Sequence, residues 1–345
     1  MKKTIISYLL ASMLIFSCCQ SNSSDYYNIN SVNLKKLKAD TTFTTNNIFI
    51  PFELHMYRQW MVGITSLEKF SNYPVVFYDT SSFRVDFSIG KFGRGPGEYT
   101  GIDPYFFEKT DRGVTFYTDF FFEESFILPL ADDRAPEYRI RLLESIVNKL
   151  NKLNDTLYVY INPKLRESLF ILYDAKNQRE IKKFGELPEV NVPIEGEDHL
   201  QNLYSCFVKV SDDKGTIAAI FTDIPVFQIY RNFELKTEIY IDRKSDCPTR
   251  DALFNRKCPI YYSQPYITKN HIWMKYVNSL PGTETGVTEL HSWSWDGKFT
   301  GRYELDSESI DFTVSDNEHS IFLFTLKSEF NEIRKYSLID KEMKN

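Results

Sequence analysis

The 345-residue sequence has few of the residues and motifs that build familiar catalytic centres. Its histidines are scattered, and no two of them have the i, i+4 spacing that presents two imidazoles to one metal on a helix. They are His55, His199, His271, His291 and His319. A P-loop Gly-Lys-Ser/Thr and a Gly-x-Ser-x-Gly elbow are both missing. Asp-rich turns such as Asp212-Asp213 lack the staggered oxygens of a calcium loop. We therefore expect no metal site and no cofactor.

The chain also lacks a basic excess. Its net charge is -6, and no basic stripe interrupts the sequence, so nucleic acid is not an expected partner. Hydrophobic residues make up 42% and aromatic residues 16%, which is too much apolar material for a disordered chain. The enrichment in aromatic and β-branched residues favours strands over helices.

Strand-like runs recur along the whole chain and are separated by short turns that supply Asp, Asn or Gly, as in Trp295-Asp296-Gly297-Lys298. Three segments share a rhythm of aromatic strand, polar turn and charged returning strand, and they begin at Leu169, Phe227 and His291. Their spacing of roughly 60 residues matches a four-stranded blade plus a loop. Six such units would fill the chain, and a ring of blades leaves few free sheet edges. We expect an all-β, six-bladed β-propeller of four-stranded antiparallel blades, with residues 47–54 pairing with the C-terminal strands to close the ring.

One segment conflicts with an all-β chain. Residues 138–153 carry apolar side chains at helical spacing, including Ile140, Leu143, Val147 and Leu150. A helix is the local prediction, whereas a propeller needs strands near residues 150–156 with Asn154-Asp155 as their turn. We favour strands, because tertiary context overrides local propensity in a repeat fold.

The least random stretch is a loop built from glycine and proline. Four glycines fall inside eight residues together with Pro96, so the segment must be tightly shaped. The set consists of Gly90, Gly93, Arg94, Gly95, Pro96, Gly97, Glu98 and Tyr99. A dinucleotide fingerprint is excluded, because residues 99–104 cannot begin a helix of useful length. The stretch resembles the Gly-x-x-Gly-Arg-Gly-Pro-Gly-Glu-Tyr/Phe signature of the six-bladed, TolB-like propeller lipoproteins of Bacteroidetes.

That loop has two interpretations. In the functional one, Arg94 and Glu98 project from the loop toward a ligand while Tyr99 stacks on it. In the structural one, which we favour, Arg94 and Glu98 pair with neighbours and Tyr99 fills the gap between two blades, since four glycines and a proline mainly specify shape. A signature shared by proteins in diverse settings is also more often architectural than catalytic.

The N-terminus predicts export and lipidation. Met1-Lys2-Lys3 precedes an apolar run, Ile5 to Phe16, which is too short to span a bilayer. The run ends Leu14-Ile15-Phe16-Ser17-Cys18, which resembles a bacterial lipobox. We predict a signal peptide over residues 1–17, a lipidated Cys18 with a flexible tether over 18–40, and one propeller domain over 41–345. An ordinary cleaved signal is the alternative. No acidic cluster follows Cys18, which favours the periplasmic face of the outer membrane over the cell surface.

Other candidate sites are weaker. Cys247 and Cys258 bracket a charged loop and predict a disulfide worth roughly 3 kcal/mol, although reduced thiols are an equal alternative. Phe121, Tyr261 and Tyr262 lie in runs without clean alternation and predict an exposed aromatic surface. His291, Trp293 and Trp295 alternate with serines, so they share one strand face, which we expect to pack between blades.

The function expected from these features is a non-catalytic binding or scaffolding module in the cell envelope. Its partners would be the membrane, through the anchor, and another envelope protein or a glycan. One alternative is a hydrolase or lyase that acts on a glycan or a lactone-like substrate at the propeller axis. Another is a glycan-binding lipoprotein with exposed Tyr and Trp side chains.

Overall fold

The structure is a computed structural model. It describes residues 24–45, 49, 51–65, 71–93, 98–99, 101–109, 113–118, 124–129, 138–141, 150–241, 248–283, 285–326 and 331–339. The signal peptide and Cys18 lie outside these residues. Two short helices are present in the described part, α1 (Glu197–Leu203) and α2 (Arg250–Phe254), together with a 3-10 turn at Ile29–Ser31.

The described strands form six sheets, each with four antiparallel strands, and we number the sheets in chain order. Sheet 1 contains β4 (Glu53–Tyr57), β5 (Trp60–Ile64), β6 (Val75–Asp79) and β7 (Val85–Ile89). Sheet 2 contains β8 (Ile102–Lys109), β9 (Gly113–Thr118), β10 (Glu124–Pro129) and β11 (Tyr138–Arg141). Sheet 3 contains β12 (Asn151–Lys152), β13 (Leu157–Ile161), β14 (Phe170–Asp174) and β15 (Arg179–Phe184).

The second half of the chain repeats this arrangement. Sheet 4 contains β16 (Cys206–Val210), β17 (Thr216–Phe221), β18 (Val226–Arg231) and β19 (Glu234–Ile241). Sheet 5 contains β20 (Ile260–Ile267), β21 (His271–Ser279), β22 (Thr288–Ser294) and β23 (Phe299–Leu305). Sheet 6 contains β24 (Asp311–Val314), β25 (Ser320–Leu326), β26 (Asn331–Ser337) and the N-terminal strand β3 (Thr41–Thr45).

The turns follow from short polar side chains. The Asn154 side chain accepts the amides of Thr156 and Leu157, each at 2.9 Å, and so closes the hairpin between β12 and β13. Asp174 does the same for Lys176 at 3.0 Å and Asn177 at 3.1 Å between β14 and β15. These side chains replace backbone partners that a tight reversal leaves unpaired.

The core lies between neighbouring sheets rather than within one layer. Every residue of β17 is buried, because sheet 4 is covered on both faces. Apolar side chains of sheet 4 pack against sheet 3 on one side and against sheet 5 on the other. Sheets 5 and 6, sheets 6 and 1, and sheets 1 and 2 are joined by further clusters of the same kind. This is the packing of propeller blades around a common axis.

The ring is closed by strands from the two ends of the chain, but the closing strand is not the predicted one. β3 pairs with β26, so that Phe43 lies opposite Ile333. Within the predicted segment, residues 47–54, Glu53 and Leu54 belong instead to β4, at the inner edge of sheet 1. β3 precedes β4 in the chain. It forms the outer strand of sheet 6, and the chain then continues into β4 of sheet 1.

Residues 24–37, predicted as part of a flexible tether, form two strands. β1 (Ser24–Tyr27) pairs in parallel with β19, and β2 (Leu34–Leu37) pairs in parallel with β23. The N-terminal segment thus covers the outer edges of sheets 4, 5 and 6 in succession. Capping an outer edge with a strand satisfies its free amides and carbonyls and prevents pairing with other chains.

Residues 138–153 contain strands at both of their described ends. β11 begins at Tyr138, and β12 occupies Asn151–Lys152, with the turn at Asn154 as predicted. Residues 142–149 lie outside the described residues. At the described ends, the sheet context overrides the helical spacing of the apolar side chains.

Candidate functional site: a cavity at the centre of the ring

The first strand of each sheet is the innermost one, and the ends of these strands surround a cavity of about 460 Å³. Five sheets contribute to its wall through the last residues of β4, β8, β12, β16 and β20, and Asp316 in the hairpin after β24 adds the sixth. The cavity opens on the face that carries the hairpins between the first and second strands. A site built by many blades is positioned by the whole ring rather than by one loop.

Aromatic rings from three sheets form one part of the wall. The His55 imidazole is stacked on the Phe107 ring with 4.3 Å between centroids and 13° between planes. The Tyr266 ring lies 6.3 Å from His55, and its hydroxyl accepts the backbone amide of Met56 at 3.2 Å. Phe107 is half-buried, whereas His55 and Tyr266 are buried. The rings therefore offer an apolar surface at the base of a polar cavity.

A buried cluster of charged groups lies at this base. Nε2 of His55 is 3.0 Å from Oε2 of Glu53, and the Lys209 ammonium is 3.2 Å from Oε1 of the same carboxylate. All three side chains are less than 10% exposed as residues. Glu53 thus accepts a hydrogen bond from Lys209 with one oxygen and lies beside His55 with the other, where the contact lacks hydrogen-bond geometry. Both His55 and Lys209 line the cavity.

The protonation of this cluster follows from burial and pairing. Burial alone would raise the pKa of Glu53, but the Lys209 ammonium and the contact with His55 outweigh burial and hold the pKa below its usual value. Burial lowers the pKa of His55, although Glu53 opposes the effect. Burial raises the pKa of Asp311 well above its usual value, and the neighbouring Glu53 charge adds to the effect. At neutral pH the cluster therefore contains an ionised glutamate and a neutral imidazole.

Asp311 connects this cluster to the ring closure. Its Oδ2 accepts the backbone amide of Leu54 at 2.6 Å, so a side chain of sheet 6 fixes the strand that carries Glu53 and His55. This contact lies directly between the last sheet and the first. The position of the buried charges is thus coupled to the closing of the ring.

The cavity wall is rich in lysine. Five lysines and three carboxylates line it, an excess of two positive charges on a chain whose net charge is -6. The lysines are Lys109, Lys152, Lys209, Lys214 and Lys269, and the acids are Glu108, Asp212 and Asp316. Lys109 pairs with Asp316 at 2.8 Å. Burial lowers the pKa of Lys109, but Tyr266 and Asp316 reverse this and raise it.

One carboxylate on the wall serves two lysines. Oε2 of Glu108 is 3.5 Å from the Lys152 ammonium, and Oε1 is 3.3 Å from the Lys214 ammonium. The three residues come from sheets 2, 3 and 4, so this bridge ties three sheets together at the cavity. Lys152 also meets Asp155 at 3.2 Å, but the side chain of Asp155 is 99% exposed and its charge is screened by water.

Three hairpins on the cavity face place charged residues in the left-handed backbone region. Arg58 has φ 53°, Lys214 has φ 58° and Glu318 has φ 57°. The left-handed conformation costs most residues roughly 1 kcal/mol or more, whereas glycine and asparagine adopt it with less strain. Lys214 lines the cavity, and Glu318 pairs with His271 at 2.6 Å. These three hairpins therefore have charged residues at positions where glycine would be less strained.

The glycine loop has a different place. It runs from the outer strand β7 to the inner strand β8, at the end of the sheets away from the cavity. Tyr99 is 2% exposed and packs within the cluster between sheets 1 and 2, and Glu98 lies 3.6 Å from Lys91. Gly90 has φ +71°, and a Cβ there would lie 2.6 Å from the Tyr99 ring. Residues 94–97, including Arg94, Gly95, Pro96 and Gly97, lie outside the described residues.

The expected aromatic surface is not formed by Tyr262. Its side chain is fully buried and its hydroxyl lies 2.7 Å from Nδ1 of His291, because the residue faces the space between sheets 4 and 5. Tyr261 is half-buried, and Phe121 lies outside the described residues. His291, Trp293 and Trp295 are buried, and the two tryptophans belong to the cluster between sheets 4 and 5.

The two cysteines in the described part of the chain do not line the cavity. Cys206 and Cys258 are buried thiols. Cys247 lies outside the described residues, so its disulfide with Cys258 stays a prediction. Among the described residues, no group of three or more His, Cys, Asp or Glu side chains is placed to hold a metal ion. No described helix has the length and apolar character needed to cross a bilayer.

Sequence reasoning missed the cavity residues, although a signal existed. His55, Lys109, Lys152, Lys209, Tyr266 and Asp316 are separated by 54, 43, 57, 57 and 50 residues. This is roughly one blade per step, and the residues lie in or just after the inner strands of their sheets. Aligning the repeats on their inner strands would have brought these regions together, whereas a search for short motifs could not.

Comparisons with known proteins give the fold. No protein-family model and no curated protein matches the chain. A protein of Bacteroides fragilis described as exported is similar in structure, with a TM-score of 0.54, 12% identity, and coverage of 90% of this chain and 100% of the other. A member of the DUF4221 family from Bacteroides vulgatus has a TM-score of 0.57 at 6% identity, covering 87% of this chain and 97% of the other. Similarity at this level shows that the chain is an all-β propeller with antiparallel four-stranded blades.

Proposed function

We propose that this protein is a lipid-anchored, six-bladed propeller of the cell envelope, related in design to TolB-like lipoproteins, that binds a polar ligand in its axial cavity. The observation that carries the proposal is the cavity itself. It is walled from all six sheets, has three rings at its base and carries lysines and carboxylates around its wall. Small-molecule sites commonly combine an apolar surface with a few fixed polar groups in this way.

Location in the envelope is supported by two independent features. The lipobox-like sequence before Cys18 predicts acylation, and one similar structure belongs to a protein described as exported. We place the protein at the outer membrane, facing the periplasm. Metabolic labelling with an alkyne-tagged fatty acid tests this: the wild-type chain should be labelled and partition with membranes, and Cys18→Ala should lose both properties. A Cys18→Ala chain that remains labelled and membrane-bound would refute the anchor.

Ligand binding is tested by thermal shift and calorimetry on the full chain in detergent. The probes are neutral hexoses, hexuronates, amino acids and inorganic phosphate. A probe that binds in the cavity should lose affinity in Phe107→Ala, which removes part of the ring surface, and in Lys269→Glu, which reverses a wall charge. The matched control is Lys298→Glu, on an exposed hairpin that does not line the cavity. Binding that is unaffected by both cavity variants would place the ligand elsewhere and defeat the proposal.

A second candidate function is catalysis, and one observation favours it. Glu53 contacts Nε2 of His55, and His55 lines the cavity as a neutral imidazole. A neutral histidine with a carboxylate beside it is suited to general base chemistry, as in a hydrolase or lyase, if the contact gains hydrogen-bond geometry when a substrate binds. Mass spectrometry of the same probes and their oligosaccharides after long incubation tests this. If product forms with wild type and not with His55→Gln, while His55→Gln still binds the probe, the protein is an enzyme that uses His55.

A further inference from the structure

We infer that the ligand of the axial cavity is an anionic sugar, a hexuronate or a glycan end that carries one, and that its carboxylate binds between Lys152 and Lys214. The inference rests on the proposed axial binding function and specifies its ligand class. It is carried by the lysine pair that shares Glu108, by the place of Lys214 on the cavity wall and by the rings at the cavity base.

The Lys152, Glu108 and Lys214 bridge sets two ammonium groups against one partly buried carboxylate. The ammonium groups lie 3.5 Å and 3.3 Å from the two oxygens of Glu108, which is 15% exposed, and their own side chains are 20% and 36% exposed. Lys152 also meets Asp155 at 3.2 Å, but that side chain is 99% exposed and water screens its charge. A ligand carboxylate beside the ammonium groups would add a second negative charge that is shielded from water. Ion pairs that are partly shielded from water are stronger than exposed ones.

Lys214 is held there against a local cost. Its backbone has φ 58°, its amide donates to the Ser211 carbonyl at 2.8 Å, and the next residue, Gly215, has its amide bound by Asp213 at 2.9 Å. A glycine at position 214 would satisfy the same turn without strain. The same conformation occurs at residues away from the cavity, such as Gln178 and Asn232, so what distinguishes Lys214 is that its charge lines the cavity. The opposite wall adds Lys269, which has no carboxylate partner among the described residues.

The base of the cavity selects for a ring. His55, Phe107 and Tyr266 present aromatic surface beside these charges, and Asn151 and Thr268 add neutral polar groups to the wall. Sugar rings pack their C–H faces on aromatic rings while their hydroxyls bond to polar side chains. A cavity of about 460 Å³ is the right size class for one or two sugar units. An inorganic anion alone would leave the ring surface uncovered.

The test compares galacturonate with galactose, two probes that differ by a carboxylate in place of a hydroxymethyl group. Calorimetry on the full chain should give at least about tenfold tighter binding of galacturonate at low salt, the effect of one new ion pair in a partly shielded site. The difference should shrink at about 0.5 M salt, where charges are screened within a few ångströms.

Lys214→Gly is the decisive variant, because it removes the charge and relieves the strain together. The melting temperature should be equal to or above that of wild type, while the preference for galacturonate falls to about threefold or less. The ratio of the two affinities is the readout, because Lys214 lines the cavity that both probes enter. Lys176→Gly, an exposed lysine in the hairpin between β14 and β15, is the matched control and should keep the preference.

Four other outcomes overturn the inference. Equal affinity for galacturonate and galactose would remove the anionic requirement and leave the proposed polar-ligand function standing. If phosphate binds as tightly as galacturonate, a sugar ring is not required for binding. If Lys214→Gly keeps the full preference for galacturonate, the ligand carboxylate does not bind beside Lys214. If no probe binds, or if binding ignores Phe107→Ala, the axial site itself fails and the proposed function fails with it.

Discussion

The buried charges beneath the cavity make a quantitative prediction through Glu53→Gln. This change keeps the shape of the side chain and removes the negative charge that faces Lys209 at 3.2 Å and His55 at 3.0 Å. The lysine is left 9% exposed without its partner. A buried charge that loses its partner typically costs about 3–5 kcal/mol. We expect the lower end, because the loss of Glu53 also lowers the pKa of Asp311, and that carboxyl can then ionise and offset part of the lysine charge.

The expected change in melting temperature follows from size. About 2.1 cal/mol/K of unfolding entropy per residue gives about 0.7 kcal/mol/K for about 320 folded residues, so a loss of about 3 kcal/mol lowers the melting temperature by about 4 °C. Glu53→Gln combined with Lys209→Met should regain most of that loss, because no buried charge is left unpaired. Asp311→Asn should lower the stability more in the Glu53→Gln variant than in wild type. In the variant, Asp311 is the carboxyl that offsets part of the Lys209 charge, and the second substitution removes it.

The effect has a pH dependence of definite sign. The pKa of Glu53 is lower in the folded protein than its usual value of 4.5, so the stability that Glu53 contributes is present above pH 4.5 and is lost as the pH falls through the folded value. The difference in melting temperature between wild type and Glu53→Gln should therefore shrink on acidification. His55, with its lowered pKa, destabilises the fold as the pH falls below 6.5, and does so more in Glu53→Gln, because Glu53 opposes the lowering of the His55 pKa. The shrinking difference is therefore read below pH 4.5, where Glu53 itself takes up its proton.

Calorimetric melting at several pH values is the assay, and Lys36→Met is the control. Lys36 pairs with Glu304 at 2.8 Å, but its side chain is 73% exposed, so its loss should cost less than about 1 kcal/mol. Two results would refute the reasoning: a Glu53→Gln melting temperature within the range of the Lys36→Met control, or a difference that grows as the pH falls below 4.5.

Two further predictions concern the frame of the ring. Gly90→Ala should lower the stability by about 2–3 kcal/mol, because φ is +71° and the new Cβ would meet Tyr99. Gly282→Ala, with φ +80° and open space around it, should lower it by only about 1 kcal/mol. Thermal melting of the two variants separates the steric clash from the backbone strain. Phe43→Ala should cost about 2–3 kcal/mol and speed amide exchange in β26, since Phe43 stacks on Phe83 at 4.0 Å and fixes the closing strand to sheet 1; unchanged exchange in β26 would contradict this.

The sequence supports the strands better than the site because the two are encoded at different ranges. A hairpin such as that at Asn154 depends on residues three apart, so a local pattern reveals it. The contact of Asp311 with Leu54 joins residues 257 positions apart and exists only once the ring closes. The cavity is lined by residues from the inner strands and the hairpins of several degenerate repeats, each ordinary in its own repeat. The loop at Gly90 is recognisable in the sequence because its glycines and proline specify a local backbone conformation. Its described part contributes to the packing between sheets 1 and 2.

The N-terminal strands missed by prediction follow the same rule. Ser24–Tyr27 and Leu34–Leu37 are polar and short, and alone they resemble a tether. They become strands because sheets 4 and 5 offer outer edges with unpaired backbone groups. A partner that lies more than 200 residues away supplies what the local sequence lacks.

This N-terminal path also predicts how an anchored propeller faces the membrane. Five residues separate Cys18 from Ser24, where β1 begins on the edge of sheet 4, and the six Cα–Cα steps between them span about 20 Å when fully extended. If Cys18 is acylated, the edge of sheet 4 must stay near the bilayer while sheet 1, across the ring, lies farther away. Fluorophores placed through Tyr26→Cys in β1 and Tyr73→Cys, two residues before β6 of sheet 1, measure this with a quencher on the lipid headgroups; both positions are exposed.

Quenching should be stronger at position 26 than at position 73. A flexible insert of about 15 Gly and Ser residues before Ser24 adds roughly 20 Å of average reach, so it should remove most of the difference. Cys206 and Cys258 are buried and should not take the label in the folded protein. Equal quenching at the two positions without the insert would mean that the short connection does not set the orientation, and a second contact with the membrane would then have to hold the ring.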